Sequence, residues 1–159
     1  MKTLSRTLAA LAVAGALSAA GAAQAATVTE CRAAVGFNAA SGAWGAVAAS
    51  TDYFLSRRTV GSCEVKVVGS SSKGKPTTST LLLGGPMTQD ECSLYNYLSS
   101  VDSKLNQAKV SDAYVMISGM VAKVGDLFAT GKLGAAGYEK ILPAAQAAQQ
   151  CIYELMTTP

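Results

Sequence analysis

The chain has 159 residues, a net charge of +3, four cysteines and no histidine. Without histidine there is no Ser-His-Asp or Cys-His catalysis, no histidine metal site and no imidazole proton relay. Setting Lys2 and Arg6 aside with the leader that carries them leaves a charge of +1, which disfavours a strongly basic nucleic-acid binder.

Lys2 and Arg6 precede an apolar stretch over residues 8–17 and a small-residue run over 18–26, where Ala23-Gln24-Ala25 fits the A-x-A cleavage rule. Residues 1–25 therefore read as a secretory signal peptide cut after Ala25. Residues 26–159 read as one domain in a bacterial periplasm or outside the cell. No second apolar run approaches the ~20 residues that span a bilayer. An even set of cysteines in an exported chain points to two disulfides. Cys31, Cys63, Cys92 and Cys151 are too widely spaced for the paired C-x₂₋₄-C of a zinc site, so no metal or cofactor is expected.

Residues 27–60 carry a weak helical pattern through Trp44, Val47, Thr51, Phe54, Leu55 and Arg58. Gly36, Gly42 and Gly45 would each cost about 1 kcal/mol inside a helix. The spacing predicts a helix over 28–35, a break over 36–43 and a helix over 44–57. Cys63-Glu64-Val65-Lys66-Val67 then alternates apolar and polar, and residues 77–83 are β-branched and then apolar, so a β-hairpin is predicted near 62–84. Residues 69–76 are its long mobile tip, and Gly84-Gly85-Pro86 ends it. Thr88 and Glu91 read as a capping box opening a helix to about Ala108, with an apolar stripe at Leu94, Leu98, Val101 and Leu105. Ser111-Asp112 reads as the next cap. Ala113, Met116, Ile117, Met120, Val121, Val124, Leu127 and Phe128 form the widest stripe in the chain, so this helix is expected to be the most buried, with Gly131 as terminator. The last pattern, over 133–156, is interrupted by Pro143, which predicts a kink or two helices. The fold class is mainly α: a small disulfide-stapled bundle of three to five helices with one β-hairpin insertion, or an α+β arrangement as the alternative.

Geometry chooses between the three cysteine pairings. In an up-down-up bundle Cys92 lies near the start of the first helix and Cys151 near the end of the third, roughly 20 Å apart along the axis, and a disulfide needs Cα atoms within about 7 Å. Antiparallel pairing brings Cys63 near Leu83, just before the helix that carries Cys92. The expected bonds are Cys63–Cys92 and Cys31–Cys151.

Residues 69–75 spell G-x₄-G-K, most of a phosphate-binding loop. Pro76 stands where the Mg²⁺-binding hydroxyl belongs, however, and a β-like run follows instead of a helix N-terminus. Residues 70–73 and 72–75 lend themselves to an S-x-x-K reading, but a glycine-rich loop does not hold serine and lysine in register. Nucleotide binding and penicillin-type chemistry are both set aside. With every thiol paired no cysteine nucleophile remains, and the acidic residues form no catalytic-looking pair. The basic residues Arg57, Arg58, Lys66, Lys73 and Lys75 cluster around the hairpin and are the candidate binding surface. They point to an exported, non-enzymatic protein-interaction module of inhibitor, immunity or accessory-subunit type. Its partner would be another extracytoplasmic protein, with no nucleic acid, nucleotide or membrane span involved. The alternatives are a structural or stress-protective envelope component and a small carboxylate-dependent wall hydrolase.

Overall fold

A computed structural model describes residues 26–38, 43–44, 53–55 and 59–157. In chain order these form α1 (Val28–Val35), β1 (Phe37–Asn38), β2 (Ala43–Trp44), β3 (Thr59–Ser70), β4 (Pro76–Thr88), α2 (Gln89–Asn106), α3 (Val110–Ala129) and α4 (Ala135–Thr157). The mainly helical, disulfide-stapled architecture with a β-hairpin is as the pattern predicts.

Helix α1 opens on a complete capping box. The Thr27 hydroxyl accepts the Glu30 amide, and the Glu30 carboxylate accepts the Thr27 amide at 2.7 Å, which holds the carboxyl below its ordinary range through the Thr27 hydroxyl and backbone N–H. Gly36, at a φ of 66°, ends α1 in the left-handed region that glycine tolerates. Beyond Gly36 the chain departs from the helix expected over 44–57. Trp44 pairs with Phe37 in a short antiparallel ladder. Tyr53 and Leu55 give their backbone bonds to Gly134 and Lys132, across the α3–α4 connection, instead of to their own turns. Residues 45–52 and 56–58 lie outside the described residues.

The hairpin is longer than expected and its tip is shorter. Strands β3 and β4 pair from Thr59↔Thr88 to Ser70↔Pro76, so only 71–75 remain as a turn. Gly84-Gly85-Pro86 does not end it. Ser62 pairs with Gly84 and Val60 with Met87, so Gly85 and Pro86 oppose Gly61 alone, as in a β-bulge. A Cβ on Gly85 would stand 2.3 Å from the Gly61 carbonyl oxygen, so the two strands meet there through bare backbone. The glycines that resemble a terminator are what lets the ladder pass.

Helices α2, α3 and α4 pack in sequence, with α1 against α4 and α2. The expectation that α3 is the most buried is corrected. Helix α2 buries seven residues and α3 five. Helix α2 alone touches α1, α3 and both long strands, while α3 leaves Val115 and Phe128 exposed. Hydropathy overstates α3 because part of its stripe faces solvent. It understates α2, whose buried set includes Ser99 and Asp102. Helix α4 runs unbroken through Pro143. Pro143 and Glu139, whose carbonyl loses its usual partner, are both exposed residues of the helix.

The start of α3 also departs from expectation. Ser111 and Asp112 lie inside the first turn, and Lys109 occupies the cap position with no side-chain hydrogen bond. Asp112 pairs instead with Lys104 at 2.8 Å. Only residues 107–109 join α2 to α3, and they form a Schellman turn. Lys109 N–H donates to the Lys104 carbonyl, and Ala108 N–H to the Leu105 carbonyl. The same pair of bonds closes α3, from Lys132 to Leu127 and from Gly131 to Phe128. There glycine takes the left-handed position as predicted; at the end of α2 alanine takes it, at a φ of 56°. Left-handed strain in alanine is worth about 1–2 kcal/mol, and glycine returns roughly 0.4–1 kcal/mol through the freer unfolded chain. Ala108→Gly is therefore expected to stabilise the protein by about 0.5–1 kcal/mol, seen as a higher urea midpoint at unchanged m-value, with Gly131→Ala moving the other way.

The bonded cysteines are Cys31 with Cys151 and Cys63 with Cys92, at Cα separations of 5.4 and 5.6 Å. The first ties α1 to α4; the second ties β3 to the first turn of α2.

Candidate interaction surface

Strand alternation sets the two faces of the hairpin. Cys63, Val65 and Leu83 are buried and Val67 and Leu81 half-buried on the face that meets α2. Glu64 and Lys66 project from the other face, opposite Leu82 and Thr80, and Leu82 is 60% exposed. A 12-residue strand extends about 40 Å, whereas the 18-residue α2 extends about 27 Å. The hairpin therefore outruns the helix that supports it. The overhang is where Lys73 and Lys75 sit.

The overhanging turn is structured. Ser71 N–H donates to the Lys75 carbonyl at 2.8 Å, and Gly74 N–H to the Ser71 carbonyl at 2.9 Å. Lys75 N–H donates to the Ser71 hydroxyl at 3.1 Å. Gly74 has a φ of 72°, which glycine accommodates. The long mobile tip over 69–76 is thus replaced by a five-residue turn whose own bonds set its shape. A phosphate cradle does not form, because Gly69 and Ser70 are committed to the ladder with Thr77 and Pro76.

Of the five candidate basic residues, the structure places Lys66 on the outer face and Lys73 and Lys75 on the turn. Arg57 and Arg58 lie outside the described residues. A cleft of about 470 Å³ separates the turn from the α2–α3 connection, lined by Gly74, Pro76, Asn106, Gln107, Ala108 and Lys109. Lys109 brings a further exposed cation to the same end of the molecule. The sequence holds no cue for it, since the Schellman turn that delivers it uses alanine where glycine would have marked the spot.

One chain of polar contacts braces the overhang. Arg32 of α1 grips Asp102 of α2 with two nitrogens, Nε to Oδ1 at 2.8 Å and Nη2 to Oδ2 at 3.2 Å. Its Nη1 donates to the Asn106 side-chain oxygen Oδ1 at 3.2 Å. Asn106 in turn donates its amide to the Val68 carbonyl of β3 at 3.3 Å. Asp102 is nearly buried, with 6% of its side chain exposed, and its hydrogen bond raises the pKa of the Arg32 guanidinium. No protein-family model, characterised protein or solved structure matches this chain.

The acidic residues are occupied structurally where their contacts are described: Glu30 in its cap, Asp102 with Arg32 and Asp112 with Lys104. Burial pushes the Glu91 carboxyl up, against the opposing pull of the Thr88 backbone N–H. Burial, and then the nearby Glu91 charge, push the Tyr95 phenol up. No helix among the described residues is long and apolar enough to cross a membrane.

Proposed function

We propose that this chain is exported, is cut after Ala25, and acts outside the cytoplasm as a non-enzymatic protein-interaction module of inhibitor, immunity or accessory-subunit type. Its hairpin is the recognition element. The observation that carries this reading is the overhang: a hydrogen-bonded turn bearing Lys73 and Lys75 beyond the end of α2, with Lys66 on the adjoining open face. Two disulfides suit an oxidising compartment. A rigid support with a protruding polar element suits binding by surface complementarity, in which rim charges steer encounter.

The test is capture from the producing cells' envelope with a photocrosslinking side chain at position 73. A single defined adduct is expected. Alanine at Arg57, Arg58, Lys73 and Lys75 together should weaken binding of that partner roughly tenfold, mainly in the association rate. Unchanged affinity would remove the hairpin as the site. The alternative reading, a structural envelope component, predicts self-association with no partner captured.

A further inference from the structure

Helices α3 and α4 flank a cleft that shares no residue with the hairpin. Its volume is about 410 Å³ and its lining is Tyr114, Gln146, Gln149, Gln150 and Tyr153. Small-molecule sites run from about 300 to 1,000 Å³. The four α4 residues are spaced by three and four, so they share one face of that helix. Two neighbours of α4 lie on its other sides. Gly137, nine residues before Gln146, stands about half a turn away around the helix, and the Tyr53 side chain packs there. Cys151, five residues after Gln146, stands about 140° round and is bonded to α1. The lining of the cleft is chemically uniform: two phenols, three carboxamides and no charged group. Tyr114 and Tyr153 set their ring centroids 5.9 Å apart at 46°, and Tyr153 is 45% exposed. Gln149 donates from Nε2 to Ser118 Oγ at 2.9 Å, and Gln150 donates from Nε2 to Glu154 Oε1 at 2.9 Å. Both amides thus spend a donor inside the protein and keep Oε1 as an acceptor.

We propose that this cleft binds a neutral sugar chain, with a pyranose ring against the tyrosine pair and ring hydroxyls on the glutamines. The chemistry of the lining selects that ligand. An aromatic face is electron-rich, and the C–H face of a pyranose packs on it. The glutamine oxygens call for a ligand that donates hydrogen bonds, and sugar hydroxyls do so without charge. A proline-rich segment, the other usual occupant of a tyrosine-lined cleft, offers carbonyl acceptors and no N–H from its prolines. A bound ammonium or guanidinium is best served by a carboxylate, and none lines the cleft. The internal bonds of Gln149 and Gln150 fix their amide planes in advance, so less ordering is lost on binding. Because the cleft is built from α3 and α4 alone, sugar binding here and partner binding at the hairpin turn succeed or fail separately.

Amide NMR of the exported, oxidised protein, titrated with cellotetraose, maltotetraose and tetra-N-acetylchitotetraose at millimolar concentration, tests this. Saturable shifts of the Gln146, Gln149 and Gln150 side-chain amides are expected with at least one of these sugars. Tyr153→Ala should weaken that binding roughly 5–10-fold. Gln146→Ala, at a second exposed position, should act in the same direction, and unchanged far-UV circular dichroism and disulfide maps would confirm that the bundle persists. Alanine at Lys73 and Lys75 should leave sugar binding as it is. A protein whose glutamine amides show no saturable shift with any of the sugars overturns the proposal. So does binding that both cleft variants leave intact, and so does preferential saturation of these amides by a proline-rich or lysine-rich peptide.

Discussion

Replacing Cys31 and Cys151 by serine is expected to destabilise the oxidised protein by about 4–5 kcal/mol. The corresponding loss for Cys63 and Cys92 is expected to be about 3–4 kcal/mol. The ranking follows from loop length. The first bond joins residues 120 apart and the second joins residues 29 apart, and the entropy that a cross-link removes from the unfolded chain grows with the logarithm of that separation. Structure adds to the difference. Helix α1 has eight residues, too few to persist alone, and its helical neighbours are α4 and α2. Without the bond to Cys151, its hold on the bundle is reduced to the packing of Val35, Val28 and Ala26 and the Arg32 contact. Urea unfolding of the two double-serine variants, with thiol-free chains confirmed by mass, measures both losses. A Cys31/Cys151 loss under about 1 kcal/mol would show that α1 is held by packing alone.

Arg32→Ala is expected to cost about 2–3 kcal/mol. Removing one partner of a fully buried ion pair typically costs about 3–5 kcal/mol, because the other charge is left desolvated. The expected value is set lower because 38% of the Arg32 side chain reaches solvent, which screens the pair. The damage should extend beyond the pair. Asn106 loses the donor to its side-chain Oδ1, and with it some of the restraint that points its amide nitrogen at Val68. Two companion variants separate these effects. Arg32→Lys should restore little, since an ammonium cannot supply the fork to Asp102 and the third bond to Asn106 together. Adding Asp102→Asn to Arg32→Ala should recover part of the loss by removing the stranded charge. If the double variant is no more stable than Arg32→Ala, the penalty lies in lost packing of the arginine stem. Hydrogen exchange at the amides of 66–70 would report whether the strand loosens with the brace.

The local features of this fold are legible in the chain and the long-range polar ones are not. Helix α1 falls over the predicted 28–35, Gly131 takes its left-handed place, and the cysteine pairs follow from helix rise and strand pairing. These outcomes depend on one residue type or on a period. The length of the hairpin was obscured because glycine and proline look alike in a turn and in a bulge; only the opposing Gly61 distinguishes them. Helix α2 looked less central than α3 because hydropathy scores Asp102 as exposed, although Arg32, 70 positions away, makes its burial tolerable. Ser111-Asp112 has cap chemistry, but the bonds that set the start of α3 are backbone ones between Lys104 and Lys109, which no side-chain pattern announces. At the candidate surface, Lys73 and Lys75 were readable as turn residues. Lys109 was not, since nothing near it in sequence marks the fold-back that carries it there.

The spans of the two cystines impose an order on oxidation. As the chain emerges N-terminus first, the thiol of Cys31 appears 120 residues ahead of its native partner. Cys63 comes next, at a contour distance similar to that between Cys63 and Cys92, so closing the wrong ring is entropically as easy as closing the right one. An oxidant acting on nascent chains would favour Cys31–Cys63, and escape requires thiol–disulfide exchange through a mixed disulfide. Attack of the Cys92 thiolate on the Cys63 sulfur then closes the native ring and releases the Cys31 thiol, and a further two-electron oxidation is needed to join Cys31 to Cys151.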